Sequence, residues 1–196
     1  MGGGSDTNRP PAAPAAADDA ARPQQDSGGD AGGPSGTPTA GIPRPVGPDW
    51  IPADPATLPE RIRPAADHFQ TRPAGTTRPT LGLFNGEEIY SGGGDRSLAA
   101  DLDHDPLRGP PVTFYDHAES KAAARMRHTN SQEADLAIDN TVCGSNDRDQ
   151  SYPWTCDKML PAILPAGSRL RVWVTRDGGT TWWHRVYTGT GERITP

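Results

Sequence analysis

Apolar residues are spread unevenly along the chain, and their period changes from one segment to the next. Residues 80–84 (TLGLF) form a short apolar run that predicts a strand, and Glu87–Tyr90 predicts its return partner. Between them stands Asn85-Gly86, whose two residues tolerate positive φ and favour a two-residue hairpin. Residues 91–95 are a Gly-rich loop with no Gly-Lys-Ser or Gly-Lys-Thr after it, so a phosphate-binding P-loop is not supported. Residues 96–113 carry no clear period. Residues 117–127 (HAESKAAARMR) are strong helix formers; Asp116 stands at the N-cap position and Glu119 at the capping-box position. Residues 134–139 alternate as a strand, and residues 156–164 predict a second helix that Pro161 keeps short or kinked. Residues 168–175 (SRLRVWVT) alternate strongly, with Leu170, Val172 and Val174 on one face. Asp177-Gly178-Gly179 turns the chain and residues 181–187 return. The order β-β-α-β-α-β-β predicts a layered α/β domain with right-handed crossovers.

Ahead of this region the pattern is of another kind. Residues 1–79 hold 15 of the 22 prolines, 11 glycines and 14 alanines, but only two aromatic residues, Trp50 and Phe69. Tracts such as PPAAPAAADDAARP and GGDAGGPSGTP bury too little apolar area to offset the entropy of ordering them. PRPVGPDWIPADP favours polyproline II. Residues 1–73 are therefore expected to form a disordered or extended linker, and residues 74–196 one small folded domain. The alternative role for Trp50 is a docking anchor.

Charge and cysteine content narrow the function classes. The net charge is −6, which argues against a broad basic nucleic-acid surface. A local basic groove is still compatible with it, and Arg125, Arg127 and Arg148 are candidates for one. The chain has no run of 18 apolar residues, so no transmembrane helix or membrane insertion is expected. The start, MGGGSDTNRPPAAP, lacks a charged segment followed by an apolar core, so no secretory signal is visible. Cys143 and Cys156 are too few for a disulfide scaffold; one disulfide or one pair of metal ligands are the options.

Three features point to chemistry. His117 and Glu119 open the first long helix, Cys143 follows the third strand, and Cys156 opens the second helix. One His and two Cys supply three ligands for a tetrahedral zinc and leave the fourth position to water, the layout of a catalytic site. Glu119, two residues from His117, is placed to approach that water without binding the metal. Zinc lowers the pKa of a bound water to about 7, and a carboxylate beside it can move protons. The metal and two helix N-termini both favour thiolates. Zinc deaminases carry H-x-E followed by P-C-x-x-C. This chain matches the first half and departs from the second: Val142 replaces the proline, and GSNDRDQSYPWT separates the cysteines. Ten extra residues in such a loop cost only about 1–2 kcal/mol of closure entropy.

The combination TLGLFNGEEIYSGG, HAESKAAARMR, ADLAIDNTVCG and CDKMLPAILPAGSRLRVW resembles the DddA-like deaminases, bacterial toxin domains of the wider cytidine-deaminase superfamily. The resemblance runs over residues 80–175. It implies a cytidine-deaminase-like three-layer fold with a mixed sheet. It also implies zinc-dependent deamination of cytosine to uracil in nucleic acid, with DNA favoured, His117, Cys143 and Cys156 on the metal, and Glu119 as acid and base. By the same resemblance, hydroxide would attack C4 of cytosine, Glu119 would protonate N3 and then the leaving amine, and ammonia would depart. Such domains usually form the tip of a larger secreted toxin delivered into a target bacterial cytoplasm, with a cognate immunity protein as partner; the domain is expected to be monomeric.

The substrate side is written less clearly. Phe114 and Tyr115 precede the zinc helix and are candidates for a pocket wall, with core packing as the alternative. Asn140, three residues before Cys143, is a candidate for reading a base edge. The insertion carries Arg148, Tyr152 and Trp154, a candidate nucleic-acid loop, with Trp154 packed on the sheet as the alternative. Trp173, Trp182 and Trp183 are expected to cover the sheet, His128 to face the helix C-terminus, and His104 and His184 to lie outward. Two rival readings stay open: a deaminase of free nucleosides or nucleotides, and a non-catalytic interaction module with a Cys143–Cys156 disulfide.

Overall fold

The computed structural model describes residues 44–47, 49–103 and 112–195; His104 lies outside them, as do residues 1–43 of the expected linker. In chain order the elements are β1 (Ile51–Ala53), α1 (Arg63–His68), β2 (Leu81–Phe84), β3 (Glu87–Tyr90), α2 (Ala118–Thr129), β4 (Glu133–Ile138), α3 (Cys156–Ile163), β5 (Arg169–Val174) and β6 (Trp182–Thr188), with single 3-10 turns between some of them. The strands form one six-stranded sheet in the order β1-β6-β5-β4-β2-β3. β4 and β5 pair in parallel, with Leu136 opposite Val172, and every other pairing is antiparallel. Among the described residues no helix is long and apolar enough to cross a membrane.

Strand alternation decides what each face buries. Leu136, Ile138, Leu170, Val172 and Val174 pack with Ala122, Ala123 and Met126 of α2 and Leu160 and Ile163 of α3. The alanines of α2 are small enough for that helix to lie close on the sheet. Leu83, Ala137, Trp173 and Trp182 point the opposite way and pack with Leu58, Ile62, Ala65 and Phe69. The sheet is thus covered on both faces, the three-layer α/β arrangement expected from the sequence.

The second cover comes from a segment whose composition reads as linker. Residues 44–73 hold β1, which pairs with β6 at the sheet edge, and α1, whose Ile62, Ala65 and Phe69 are buried. Trp50 is 2% exposed and belongs to the core on the α2 side, so it is no docking anchor. For these residues the folded domain starts well before position 74. A mean taken over 73 residues hides the four large apolar side chains, Trp50, Leu58, Ile62 and Phe69, that do the burying.

The hairpin forms as its turn chemistry requires: Asn85 and Gly86 both take positive φ, 50° and 94°. The expected Asp116 cap does not form. A 3-10 turn over Val112–Asp116 precedes α2, and the Asp116 carboxylate accepts instead from Gly94 N at 2.8 Å. His117 takes the N-cap position. Glu119 closes no capping box, because its carboxylate is used elsewhere.

Candidate metal centre and substrate cleft

The site lies where three chain segments meet beyond the carboxyl ends of the parallel strands β4 and β5, a usual place for ligands in open α/β sheets. His117 caps α2 with extended backbone angles, φ −72° and ψ 147°. Cys156 is the first residue of α3 and is fully buried. Cys143 stands in the loop after β4, separated from Cys156 by twelve residues along the chain. What closes that gap is local packing. Gly144 takes φ +93°, and a Cβ there would come within 2.4 Å of Thr155 Cβ. Only glycine fits both the left-handed backbone and the close approach, so the loop can press against the residue preceding Cys156. Asp157 N then donates to Cys143 O at 2.9 Å, and Val46 N donates to Ser145 O at 2.7 Å. The insertion loops outward and leaves both cysteines in place.

The three ligand atoms of His117, Cys143 and Cys156 lie within 4.8 Å of one another. His117 Nδ1 is 3.3 Å from Cys156 Sγ, and Ser120 Oγ stands 3.8 Å from the same sulfur. Both cysteines are free thiols. A hydrogen bond from Cys156 lowers the Cys143 thiol to about 5, with burial opposing and His117 assisting. Burial pushes the Cys156 thiol well up, and its bond to Cys143 adds to that. His117 is raised by its hydrogen bond to the Cys143 sulfur.

This donor set fits zinc. Tetrahedral zinc takes Zn–S of about 2.3 Å and Zn–N of about 2.0–2.1 Å, which puts neighbouring ligand atoms about 3.5–3.8 Å apart. One nitrogen and two sulfurs converge within 4.8 Å, and the lowered Cys143 thiol favours the thiolate that zinc takes. Glu119 is 4% exposed, and its Oε1 accepts from Cys143 N at 3.1 Å. That bond aims the carboxylate at the ligand cluster. Burial raises its pKa, so it holds a proton more readily than an ordinary glutamate.

The centre opens onto a cleft of about 610 Å³, reached by His117, Cys143 and Asn140. Four arginines line it: Arg72, Arg78, Arg148 and Arg176. Of the candidates named from sequence, Asn140 and Arg148 are therefore at the cleft. Asn140 Nδ2 donates to Thr80 Oγ1 at 3.1 Å, leaving its carbonyl oxygen for a ligand. Phe114 is in the core at 2% exposure and meets Tyr115 edge-on at 5.2 Å. Tyr115 and Trp154 are half-buried against that core, and Arg193 stacks on Trp154. Tyr152 is exposed on the insertion. Arg125 and Arg127 do not join a groove: Arg125 pairs with Glu87, and Arg127 is tied to Asp101 and to the Leu98 and Ile163 carbonyls. His128 is exposed near the end of α2. His184 is not outward; its ring lies 4.6 Å from Trp173, half-buried.

Sequence reasoning missed Arg72, Arg78 and Arg176. Arg72 and Arg78 bracket PAGTT at the edge of the apparent linker, and Arg176 stands in a turn. No spacing rule joins them; the link is Asp139 at the end of β4, which pairs with both Arg72 and Arg78.

A sequence model of the SCP1.201-like deaminase family matches residues 47–191, most of the chain. The match begins inside the segment that composition reads as linker and includes β1 and α1. No curated protein matches the chain.

Proposed function

The chain belongs to the SCP1.201-like deaminase family, and from that premise we propose that it converts cytosine to uracil in nucleic acid, with DNA favoured, as a zinc-dependent toxin domain of the DddA-like kind. The observation that carries this reading is that a chain of net charge −6 lines the cleft at its metal-ligand cluster with Arg148 and Arg176, which no acid among the described residues pairs, beside a wall held by Arg72 and Arg78. A polyanionic substrate accounts for that contrast; a small neutral nucleoside does not require it.

In this reading His117 Nδ1 and the sulfurs of Cys143 and Cys156 hold zinc. Bound there, zinc supplies the Lewis acidity that makes water a competent nucleophile near neutral pH. The chain's own groups do the rest. The cleft admits an unstacked cytosine, and the Asn140 carbonyl accepts from its polar edge. Glu119, held by Cys143 N, relays one proton of the attacking water to N3 and the second to the C4 amine. A C–O bond forms at C4, the C–N bond breaks, ammonia leaves and uracil remains. The raised affinity of Glu119 for protons suits a group that must hold each one between steps.

The toxin role carries its own expectations: delivery into a target bacterial cytoplasm and a cognate immunity protein in the producing cell. The test of the chemistry is uracil formation by the purified full chain on matched single- and double-stranded DNA, on RNA and on free cytidine, with Glu119→Ala as control. Uracil in a polymer, abolished by the substitution, is the expected outcome. Activity confined to free cytidine would move the assignment to a nucleoside deaminase.

A further inference from the structure

The four cleft arginines are not equivalent, and their partners divide them. The Arg72 side chain is 5% exposed, and both terminal nitrogens of its guanidinium have partners. It donates to Asp139 Oδ1 at 3.4 Å, to Pro79 O at 3.2 Å and to Arg78 O. Arg78 pairs with Asp139 Oδ2 at 2.8 Å and donates to Gln70 O at 3.2 Å. Asp139 also accepts from Leu81 N at 2.9 Å. These bonds close residues 72–79 into a fixed wall of the cleft. The charge of Arg72 and Arg78 is spent on holding it.

Arg148 and Arg176 differ. Among the described residues neither side chain makes an ion pair or a hydrogen bond. Arg176 has its main chain fixed, since Arg72 N donates to Arg176 O at 2.6 Å. Its Nε is buried without a partner, a state that is costly unless a ligand completes it. Arg148 is exposed on the insertion. Neither acid beside it, Asp147 or Asp149, pairs with it, and the Asp149 carboxylate accepts instead from Asn146 Nδ2 at 2.8 Å. Guanidinium groups placed this way match phosphate oxygens with paired N–H donors.

We propose that Arg148 and Arg176 bind the backbone phosphates of the substrate strand, while Arg72 and Arg78 build the cleft wall and touch no phosphate. The inference rests on the nucleic-acid reading above and gives the insertion between the cysteines a task. The insertion carries one half of a phosphate grip, and the turn after β5 carries the other.

The test uses the zinc-loaded full chain carrying Glu119→Ala, so that no turnover occurs. Binding to fluorescein-labelled single-stranded and duplex DNA of one sequence is followed by anisotropy across a salt titration. Arg148→Gln and Arg176→Gln each flatten the dependence of log affinity on log salt, by about 0.7 for single strands and about 0.9 for duplex. Arg176→Lys restores the slope. Arg78→Gln leaves the slope alone and lowers the melting temperature instead. Slopes unchanged in both Arg148→Gln and Arg176→Gln would overturn the inference and leave the nucleic-acid reading intact. So would an Arg78→Gln slope loss equal to theirs. If the Glu119→Ala parent binds neither DNA, or binds with no salt dependence, the nucleic-acid reading and the inference fall together.

Discussion

The two faces of the sheet are held by different physics. The centre of the α2/α3 face is apolar: Leu136, Ile138, Val172 and Val174 meet alanines, Met126 and Leu160. The α1 face mixes large aromatics with charge. Phe69 meets Trp182 with ring centres 6.0 Å apart. Asp135, fully buried in β4, accepts from Trp173 Nε1 at 2.8 Å and pairs with Arg61. Asp139, at the end of the same strand, takes Arg72 and Arg78. The segment before β2 is thus fixed to the sheet by apolar contacts and by two buried carboxylates, each matched to an arginine the segment supplies. The candidate metal ligands sit at the starts of α2 and α3 and in the loop after β4, and the cleft wall includes the segment held by Asp139. The lesson is that a deaminase centre which looks complete in α2, α3 and the loop after β4 still depends on the segment behind the sheet.

The largest effect should come from removing that segment. A fragment of residues 74–196 loses the cover of Trp173 and Trp182, leaves Asp135 without Arg61 and leaves Asp139 with Arg78 alone, so it should show no cooperative thermal melt. A fragment of residues 44–196 should keep one. Equal melts for the two fragments would erase the distinction between the faces as drawn here.

Next in size is Glu119→Ala, which separates chemistry from folding. Loss of the proton relay lowers deamination by about 10²–10⁴-fold, while zinc content and melting temperature hold. Trp182→Ala should do the reverse, costing about 3–5 kcal/mol of stability by denaturant titration with the zinc content of the folded protein unchanged. Asp135→Asn keeps an acceptor for Trp173 Nε1 but loses the charge facing Arg61; a loss of about 1–3 kcal/mol is expected.

How much of this was legible in the sequence follows from the same contrast. On the α2/α3 face, period and composition agree: residues 168–175 alternate, and the predicted strand is found at Arg169–Val174 with Leu170, Val172 and Val174 inward. The helix expected at 117–127 is found at Ala118–Thr129, and the Asn85-Gly86 hairpin pairs Phe84 with Glu87. On the α1 face the two sources of information conflict. Asp135 and Asp139 alternate with apolar residues and so read as solvent-facing, yet both are buried at 0% exposure. Their partners, Arg61 and Arg72, lie in a Pro/Ala-rich segment with too few apolar residues to announce an element. Non-local charge pairing has no period, and pattern reading cannot find it. The His-x-Glu half of the site was legible because one helical turn sets its geometry. The cysteine half depended on Gly144 closing the insertion against Thr155, a contact between segments with no fixed spacing.

The smallest expected effect concerns the two sulfurs after metal removal by a chelator. The hydrogen bond from Cys156 holds the Cys143 thiol at about 5, well below the ordinary thiol range, so its thiolate persists as pH falls and protonates only near pH 5. Alkylation by iodoacetamide should therefore proceed at Cys143 with a midpoint near pH 5. Cys156, buried and shifted the opposite way, should stay unmodified while the fold holds. Equal labelling of both residues would show that the sulfurs are not differentiated as their surroundings require.

All of the proposed chemistry turns on His117, Cys143 and Cys156 acting as one metal site across three separate segments. The most direct measurement is zinc per chain in the purified full-length protein and in Cys143→Ser, with Glu119→Ala as the control for a neighbour that is not a ligand. The account predicts one zinc per chain in the parent and in Glu119→Ala, and its loss in Cys143→Ser. Full zinc retention by Cys143→Ser, or a folded parent that binds no zinc from a zinc-supplemented buffer, would contradict it.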